Sequence, residues 1–372
     1  MKPQNAKTVT LILTQDCNLN CIYCYEHNKS KKSMSFDTAK KILDYHLKAV
    51  DNYDYIYINL FGGEPFLKFD LIKQIYEYSK KINNQKKILF VTTTNGTLVH
   101  GDIQKWLYSH KNDFHCGLSA DGTENMHNYN RCNSYSKIDF DFFKNTWPNN
   151  PVKITVSPYS LNTLADGIIH LHKLGFDVCG SIAYGIDWNK DGLIEILDRE
   201  LIKLIEYYTN NPNINLCGML DFPIELITGE VPKKIKKWCG SGVEMYTYDI
   251  DGKCYPCQFF TPTTIGEERS KEFIDKKFNR YVDKEELNNM CKICPLIPSC
   301  PTCNGANFQE NGRLYYKTEN YCKIMKRLLL ATSKIKWIRF NQGLYTDLSD
   351  VEKYQLLTGI NAVQKTIGKT NC

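Results

Sequence analysis

Short β-rich runs alternate with longer amphipathic stretches from residue 8 to about residue 210. Between the runs, apolar residues such as Ala39, Leu43 and Leu47 recur every three or four positions, as on one face of a helix. The six predicted strands cover 8–14, 55–61, 88–94, 115–119, 152–156 and 178–183. Six strand-helix units predict an α/β fold with a parallel sheet that curves into part of a barrel, a partial (β/α)6 TIM-like barrel.

The loops that follow the first four strands carry glycine and polar motifs. In parallel barrels the carboxyl ends of the strands and their loops form the active face. The first strand runs into Cys17, the second into Gly62-Gly63-Glu64, the third into a turn with Asn95 and the fourth into Ser119. We therefore expect these four loops to converge on one mouth.

Beyond about residue 232 the chain turns to short segments rich in cysteine and proline. Little apolar periodicity remains there to build a core, so bound metal is expected to supply much of the folding energy. After Cys322, apolar residues at helical spacing predict a helix that packs back on the body. We predict three domains: a barrel over 1–235, a small cysteine-rich iron-sulfur domain over 236–325 and a helical extension over 326–372.

Composition limits the classes of protein that fit. Of the 372 residues, 42% are hydrophobic and 24% are charged, and no apolar run approaches the roughly 18 residues of a membrane span. The amino-terminal residues lack the apolar stretch of a secretory signal. We predict a cytoplasmic protein with no membrane partner. The net charge of +6 is spread along the chain, which indicates a solvated surface, and no nucleic-acid partner is expected.

The sixteen cysteines are the unusual feature of the composition. A cytoplasmic chain keeps its thiols reduced and uses clustered ones for metals or catalysis. Eleven of them fall into three groups: Cys17, Cys21 and Cys24; Cys239, Cys254 and Cys257; and Cys291, Cys294, Cys300, Cys303 and Cys322. The scattered five are predicted to be buried hydrophobes: Cys116, Cys132, Cys179, Cys217 and Cys372.

The first group has the spacing C-x3-C-x2-C. Three thiolates leave one iron of a [4Fe-4S] cube open for a substrate or cofactor, whereas a structural zinc site needs four ligands. The spacing resembles that of the radical S-adenosylmethionine (SAM) enzymes, and Tyr23 stands where that family usually carries an aromatic residue. That resemblance implies cleavage of SAM and removal of a hydrogen atom from a substrate.

The resemblance also implies which residues bind SAM. Gly62, Gly63 and Glu64 look like the family's glycine-glycine-glutamate motif, which holds the methionine amino group. Ser119 and Arg131 resemble family residues that contact SAM, and a guanidinium fork suits its carboxylate. The alternative for Arg131 is a surface ion pair. We add Asn95, after the third strand, to the predicted SAM-binding residues.

The later cysteines resemble the SPASM domain, which holds two auxiliary [4Fe-4S] clusters in radical SAM enzymes that act on peptides and proteins. The resemblance assigns Cys291, Cys294, Cys300 and Cys322 to an outer cluster, and Cys239, Cys257 and Cys303 to an inner one with Cys254 as candidate fourth ligand. Two residues separate Cys300 from Cys303, where the usual pattern has three. The implied cofactors are three [4Fe-4S] clusters and SAM. There are two alternatives. Cys254 is a plain buried thiol that leaves the inner cluster with an open iron, or the later cysteines form a pair of zinc ribbons.

The favoured function is a radical SAM peptide maturase that crosslinks a ribosomally made precursor through a thioether or C–C bond. Its partners are the peptide and an electron donor such as flavodoxin or ferredoxin. Anaerobic sulfatase-maturing enzymes are the related alternative; their catalytic base is an aspartate at the position of Gln258, and an amide cannot take that proton. A non-enzymatic zinc or iron-sulfur module is the alternative of another class. The catalytic residues stay unknown, with Cys132, Cys179 and Gln258 as candidates.

Overall fold

The computed structural model of the chain describes residues 5–82, 86–188 and 190–368. Its strands are β1 (Ala6–Thr14), β2 (Tyr55–Gly62), β3 (Lys87–Thr94), β4 (Phe114–Leu118), β5 (Val152–Val156), β6 (Val178–Ile182), β7 (Lys234–Lys236), β8 (Met245–Tyr248), β9 (Cys254–Tyr255) and β10 (Tyr281–Asp283). Its α-helices are α1 (Phe36–Leu47), α2 (Phe69–Lys81), α3 (Asp102–Ser109), α4 (Glu124–Asn130), α5 (Phe140–Thr146), α6 (Leu164–Lys173), α7 (Leu193–Asn210), α8 (Pro262–Ile265), α9 (Glu267–Ser270), α10 (Asn289–Lys292), α11 (Asn304–Asn311), α12 (Glu319–Asn341) and α13 (Asp350–Gly368).

The largest sheet of the described residues, called the central sheet, has six strands in the order β4-β3-β2-β1-β8-β9. Strands β1 to β4 are parallel neighbours. The middle strand β1 is buried from Lys7 to Thr14, as expected of a strand covered on both faces. All six predicted strands are present within a residue or two of their predicted bounds. The predicted α/β class, with a partial barrel, is confirmed.

Two features of the strand order differ from a simple run of six neighbours. Strand β4 meets β5 through a single bridge between Ser119 and Lys153, and β5 pairs with β6 in a separate two-stranded sheet. The free edge of β1 is taken by β8, which runs parallel to it with Met245 opposite Thr8. The cysteine-rich part of the chain therefore extends the central sheet, which the sequence did not indicate.

The chain divides into two compact units. The first comprises Met1–Ala120, His127–Lys153 and Cys239–Asn279, and the second Asp121–Met126, Ile154–Trp238 and Arg280–Cys372. The domain boundaries expected at 235 and 325 stay a prediction. In the described chain, no helix is both long enough and apolar enough to cross a membrane.

Apolar helix faces build each unit. In the first, α1 and α2 bury the residues predicted from their spacing, among them Ala39, Leu43 and Ile75. In the second, α12 packs against α7 and α13. Helix α12 confirms the helix predicted after Cys322, with Leu328 and Leu329 buried. Helix α13 lies within the span predicted as a helical extension, for which no separate second helix was predicted.

Candidate functional site

The cysteine loop and the glycine-glycine-glutamate loop lie side by side at the carboxyl ends of β1 and β2. Gly63 N donates to Thr14 O at 3.1 Å, and Glu64 N donates to Asp16 O at 3.0 Å. At the next strands, Ser119 N donates to Thr94 O at 2.9 Å. The structure thus brings the four predicted loops to one edge of the sheet in the first unit.

Position 63 requires glycine because these two loops approach each other closely there. A Cβ at this position would lie 2.7 Å from the carbonyl carbon of Asp16 and 2.9 Å from Cβ of Cys17. Backbone on the cysteine loop leaves no room for it. The glycine therefore sets how closely the second loop approaches the first cysteine.

Glu64 joins the ends of β2 and β3. Its Oε1 accepts from Phe66 N at 3.1 Å and from the Thr94 hydroxyl at 2.8 Å, and its Oε2 accepts from Asn95 N at 2.9 Å. Burial raises the pKa of this carboxyl despite these bonds and the nearby Arg131. A carboxylate offers about four acceptor positions. The hydrogen bonds of the described residues use three of them and leave one acceptor position.

Asn18, directly after Cys17, connects the cysteine loop to the loop after β3. Asn18 Nδ2 donates to Thr97 Oγ1 at 2.8 Å, and Asn95 Nδ2 donates to Asn18 Oδ1 at 2.9 Å. Asn95 Oδ1 also accepts from Thr97 N at 3.0 Å. The side chain of Asn95, a predicted SAM-binding residue, is thus engaged by protein groups. Sequence reasoning missed Asn18, because asparagine is common in any polar loop.

Lys29 is a second residue that sequence reasoning missed. Its side chain hydrogen-bonds the Cys24 thiol and lies close to Cys17; although burial opposes it, the two sulfurs raise the pKa of Lys29 overall. Burial raises the pKa of Cys17 as well. A cation beside thiols favours their deprotonated form, which is the form that binds metal. The only sequence signal was a lysine five residues after the last cysteine of the loop.

Arg131 and Tyr23 lie together in the first unit. The guanidinium carbon of Arg131 is 5.4 Å from the centre of the Tyr23 ring, within the range of a cation–π contact. Arg131 is 6% exposed, so it is not a surface ion pair. Arg131 lies next to the cysteine loop that carries Tyr23, because Ile22 N donates to Asn130 O at 3.1 Å.

These residues fit the group that the spacing predicts. One loop supplies three half-buried thiols, Cys17, Cys21 and Cys24, which match the three ligands of a [4Fe-4S] cube with one open iron. Glu64 offers a free acceptor position, and Arg131 offers a buried cation. An amino acid moiety with an ammonium and a carboxylate suits this pair of charges.

A second group of four cysteines lies in the second unit. Cys291, Cys294, Cys300 and Cys322 all line one cavity of about 890 Å³. Burial raises the pKa of Cys291 to about 12, and it raises the pKa of Cys294 and Cys322 too. This is the set assigned to the outer auxiliary cluster, whose ligation stays a prediction. Among the described residues, no three Cys, His, Asp or Glu side chains are grouped closely enough for a single metal ion.

The cysteines assigned to the inner cluster have different surroundings. In the first unit, Cys239 is exposed and Cys257 is buried. Cys254 hydrogen-bonds Tyr248 and faces Asp275 and Asp249, and burial raises its pKa to about 11. In the second unit, Cys303 caps the amino end of α11, and its Sγ accepts from Ala306 N at 3.5 Å. Whether these four act as ligands stays a prediction.

Gln258 begins a short 3-10 helix directly after Cys257. Its side chain hydrogen-bonds Tyr25, which is buried and lies close to both Cys24 and Cys257. The Tyr25 ring also stacks on Phe259 with 4.3 Å between ring centres. The first cysteine loop is thereby joined to the Cys257 segment through an aromatic side chain.

The expectation that the scattered cysteines are buried is only half right. Cys116 and Cys217 are buried, but Cys132 and Cys179 are exposed. Cys179 faces outward because β6 turns Val178 and Ile182 inward, and Cys132 lies in a loop where its Sγ donates to Asn20 O at 3.1 Å. Cys372 lies outside the described residues. The roles suggested for Cys132 and Cys179 as hydrogen donors stay predictions.

Comparison with known proteins gives the family. The profile of the Radical SAM superfamily matches residues 11–199, which is just over half of the chain. The chain belongs to the radical SAM superfamily. It is therefore an enzyme of that superfamily, and its radical SAM domain implies a [4Fe-4S] cluster and SAM.

The relatives of this radical SAM chain include maturases. A cysteine-type anaerobic sulfatase-maturating enzyme of Clostridium perfringens is 32% identical over 136 residues, 33% of this chain and 36% of the relative. The radical SAM cyclopropyl synthase TigE of Paramaledivibacter caminithermalis is 21% identical over 364 residues, 88% of this chain and 74% of the relative. The segments matched in the first curated relatives span only 40% and 36% of those proteins.

The fold of the chain is also that of solved radical SAM structures. Native anSMEcpe with bound AdoMet and Cp18Cys peptide superposes with a TM-score of 0.66 at 19% identity, over 92% of this chain and 99% of that one. The radical SAM recognition made from the cysteine spacing and the strand-end motifs is confirmed.

Proposed function

We propose that this radical SAM enzyme is a maturase that crosslinks a ribosomally made precursor peptide. The observation that carries the proposal is the presence of two cysteine sets: the three-cysteine loop at the end of β1 and the four-cysteine cavity of the second unit. A radical SAM domain alone needs only the first. The name of the sulfatase-maturating relative and the peptide bound in the anSMEcpe structure support a peptide as the substrate.

In this proposal Cys17, Cys21 and Cys24 hold the first cluster, and Glu64 and Arg131 orient the amino and carboxylate groups of SAM. Ser119, Asn95, Tyr23 and the Gly62-Gly63 backbone complete the SAM site. When bound, the cluster and SAM supply the one-electron chemistry that removes a hydrogen atom from the peptide. The chain itself supplies position, because the loops are held to one another by the hydrogen bonds of Gly63, Glu64 and Asn18.

The other clustered cysteines hold two auxiliary clusters, which brings the total number of iron-sulfur clusters to three. Cys291, Cys294, Cys300 and Cys322 form the outer site, and Cys239, Cys257 and Cys303 form the inner site with or without Cys254. Flavodoxin or ferredoxin is the proposed electron donor. An inner cluster without Cys254 would keep an open iron that binds a substrate thiol, as a thioether route requires.

Sulfatase maturation is the second candidate, favoured by the 32% identity to the sulfatase-maturating enzyme. In that reaction a base next to the substrate takes a proton as serine or cysteine becomes formylglycine. Gln258 stands at the position of that base and carries an amide, which has no basic oxygen or nitrogen near neutral pH. Crosslinking is therefore the preferred proposal.

Anaerobic incubation with SAM and a reductant separates the two functions. One reaction receives a short precursor peptide encoded next to this gene, and the other receives a Cys-x-Pro-x-Arg peptide. The proposal expects the first peptide to lose hydrogen and keep its sulfur, as tandem mass spectrometry would show. Release of sulfur from the second peptide, with the first unchanged, would establish sulfatase maturation instead. A variant with Cys17, Cys21 and Cys24 replaced by alanine is the control and should leave both peptides intact.

A further inference from the structure

Lys317 is a buried lysine inside the four-cysteine group of the second unit. It is 5% exposed, and its Nζ donates to Cys300 Sγ at 2.9 Å and to Cys300 O at 3.1 Å. Cys291 and Cys322 also lie close enough to interact with its charge. No sequence motif pointed to this residue.

The ammonium group of Lys317 has no carboxylate partner among the described residues. A buried ammonium without a negative partner is costly. Lys336, another lysine of the second unit, shows the usual arrangement: its Nζ donates to Phe222 O at 2.8 Å and pairs with Glu225 at 3.3 Å. The hydrogen-bond partners of this ammonium are instead the sulfur and the carbonyl oxygen of Cys300.

The backbone around Lys317 fixes its position. Asn288 Nδ2 donates to Lys317 O at 2.9 Å, and Thr318, the next residue, caps the first turn of α12. Lys326, one turn after Cys322 on α12, adds a second positive charge but is only half-buried, so water screens it more. Lys317 is the cation held directly against a sulfur.

We propose that Lys317 is the counter-charge of the outer auxiliary cluster and raises its reduction potential. A cube held by four thiolates carries net negative charge, and reduction adds one more. A cation and an N–H donor on a ligand sulfur stabilise the reduced form more than the oxidised form. The inference rests on the proposed ligand set of Cys291, Cys294, Cys300 and Cys322.

The test is a redox titration of the reconstituted full chain, followed by electron paramagnetic resonance. The outer cluster is identified as the signal that Cys322→Ala changes. Lys317→Met and Lys317→Gln should shift its midpoint potential to more negative values, and Lys317→Arg should stay near wild type. Lys336→Met is the matched control and should leave the potential unchanged. An unshifted potential in Lys317→Met or Lys317→Gln would overturn the inference.

Assembly of the outer cluster in the variants gives a second readout. If both neutral variants lose the outer cluster while Lys317→Arg keeps it, the requirement for charge is supported. If Lys317→Arg loses it as well, Lys317 is a packing residue and the inference fails. A wild-type protein in which Cys322→Ala changes no signal and removes no iron would instead refute the proposed ligand set.

Discussion

At the scale of single residues, the sequence predicted the side chains at the strand ends but not the neighbouring side chains that contact them. Cys17, Glu64 and Asn95 follow strands, and the fold brings them together. Asn18 and Lys29 were missed because their roles depend on neighbours from other loops or on the path of the loop itself. A residue type common in loops becomes informative only when its partners are known.

Replacing Asn18 tests the connection between the cysteine loop and β3. Asn18→Ala leaves Asn95 Nδ2 without its acceptor and Thr97 Oγ1 without a donor, which should cost about 0.5–1.5 kcal/mol of unfolding free energy because Asn18 is exposed and water can take its place. The loosened loop should also lose iron faster to a chelator. The measurement is the rate of iron loss under anaerobic conditions, with exposed Asn215→Ala as control. Equal rates in Asn18→Ala and wild type would refute a positioning role.

The buried His46 is expected to make the stability of the protein depend on pH. It is 3% exposed, its Nε2 lies 2.7 Å from the Tyr248 hydroxyl, and burial lowers its pKa to about 3. The unfolded chain binds this proton near pH 6.5, so it holds more protons than the folded chain between about pH 6.5 and about pH 3. The stability contributed by neutral His46 is fully present above that window and is lost as the pH is lowered through it. The loss is about 2 kcal/mol at pH 5.

The measurement is anaerobic urea unfolding at pH 7 and pH 5 for wild type and for His46→Gln. Glutamine keeps a neutral hydrogen-bonding side chain and does not titrate, so the variant should lose less stability on acidification. Because both proteins carry the same cysteines, proton release from those thiols cancels in the comparison. An identical pH dependence in the two proteins would contradict the assignment of neutral His46.

At the scale of elements, the periodicity predicted the six strands of the barrel and helix α12, but neither β8 nor α13. Strand β8 has only four residues and pairs with β1, far earlier in the chain. Its structure is set by a partner that no local pattern can reveal. Helix α13 has a less regular apolar face, and it packs against Ile224–Leu226 and α12.

Gly359 on α13 tests this packing. A Cβ at Gly359 would come within 2.7 Å of the carbonyl carbon of Ile224. Gly359→Ala should therefore push the helix from its contact and lower the unfolding free energy by about 1–2 kcal/mol, after allowing for the better helix propensity of alanine. Gly368→Ala on the same helix meets nothing within 4 Å and serves as control. A Gly359→Ala protein as stable as wild type would show that α13 does not pack closely here.

At the scale of the whole molecule, cysteine spacing predicted the family and the division of the thiols into sets, because ligand spacing is local. It could not predict that Cys303 lies in a different compact unit from Cys239, Cys254 and Cys257. Nor could it predict the buried cation against Cys300. Spacing predicts candidate ligand sets, whereas the contacts of these cysteines with residues far along the chain depend on the fold.

The central claim is that this chain is a radical SAM enzyme with three iron-sulfur clusters. The most direct measurement is iron and sulfide per chain after anaerobic reconstitution, with 5'-deoxyadenosine release measured on the same sample. The account predicts about twelve irons, deoxyadenosine release, and loss of about four irons together with all deoxyadenosine when Cys17, Cys21 and Cys24 are replaced by alanine. About four irons in wild type would contradict the auxiliary clusters, and zinc without iron or deoxyadenosine would contradict the account as a whole.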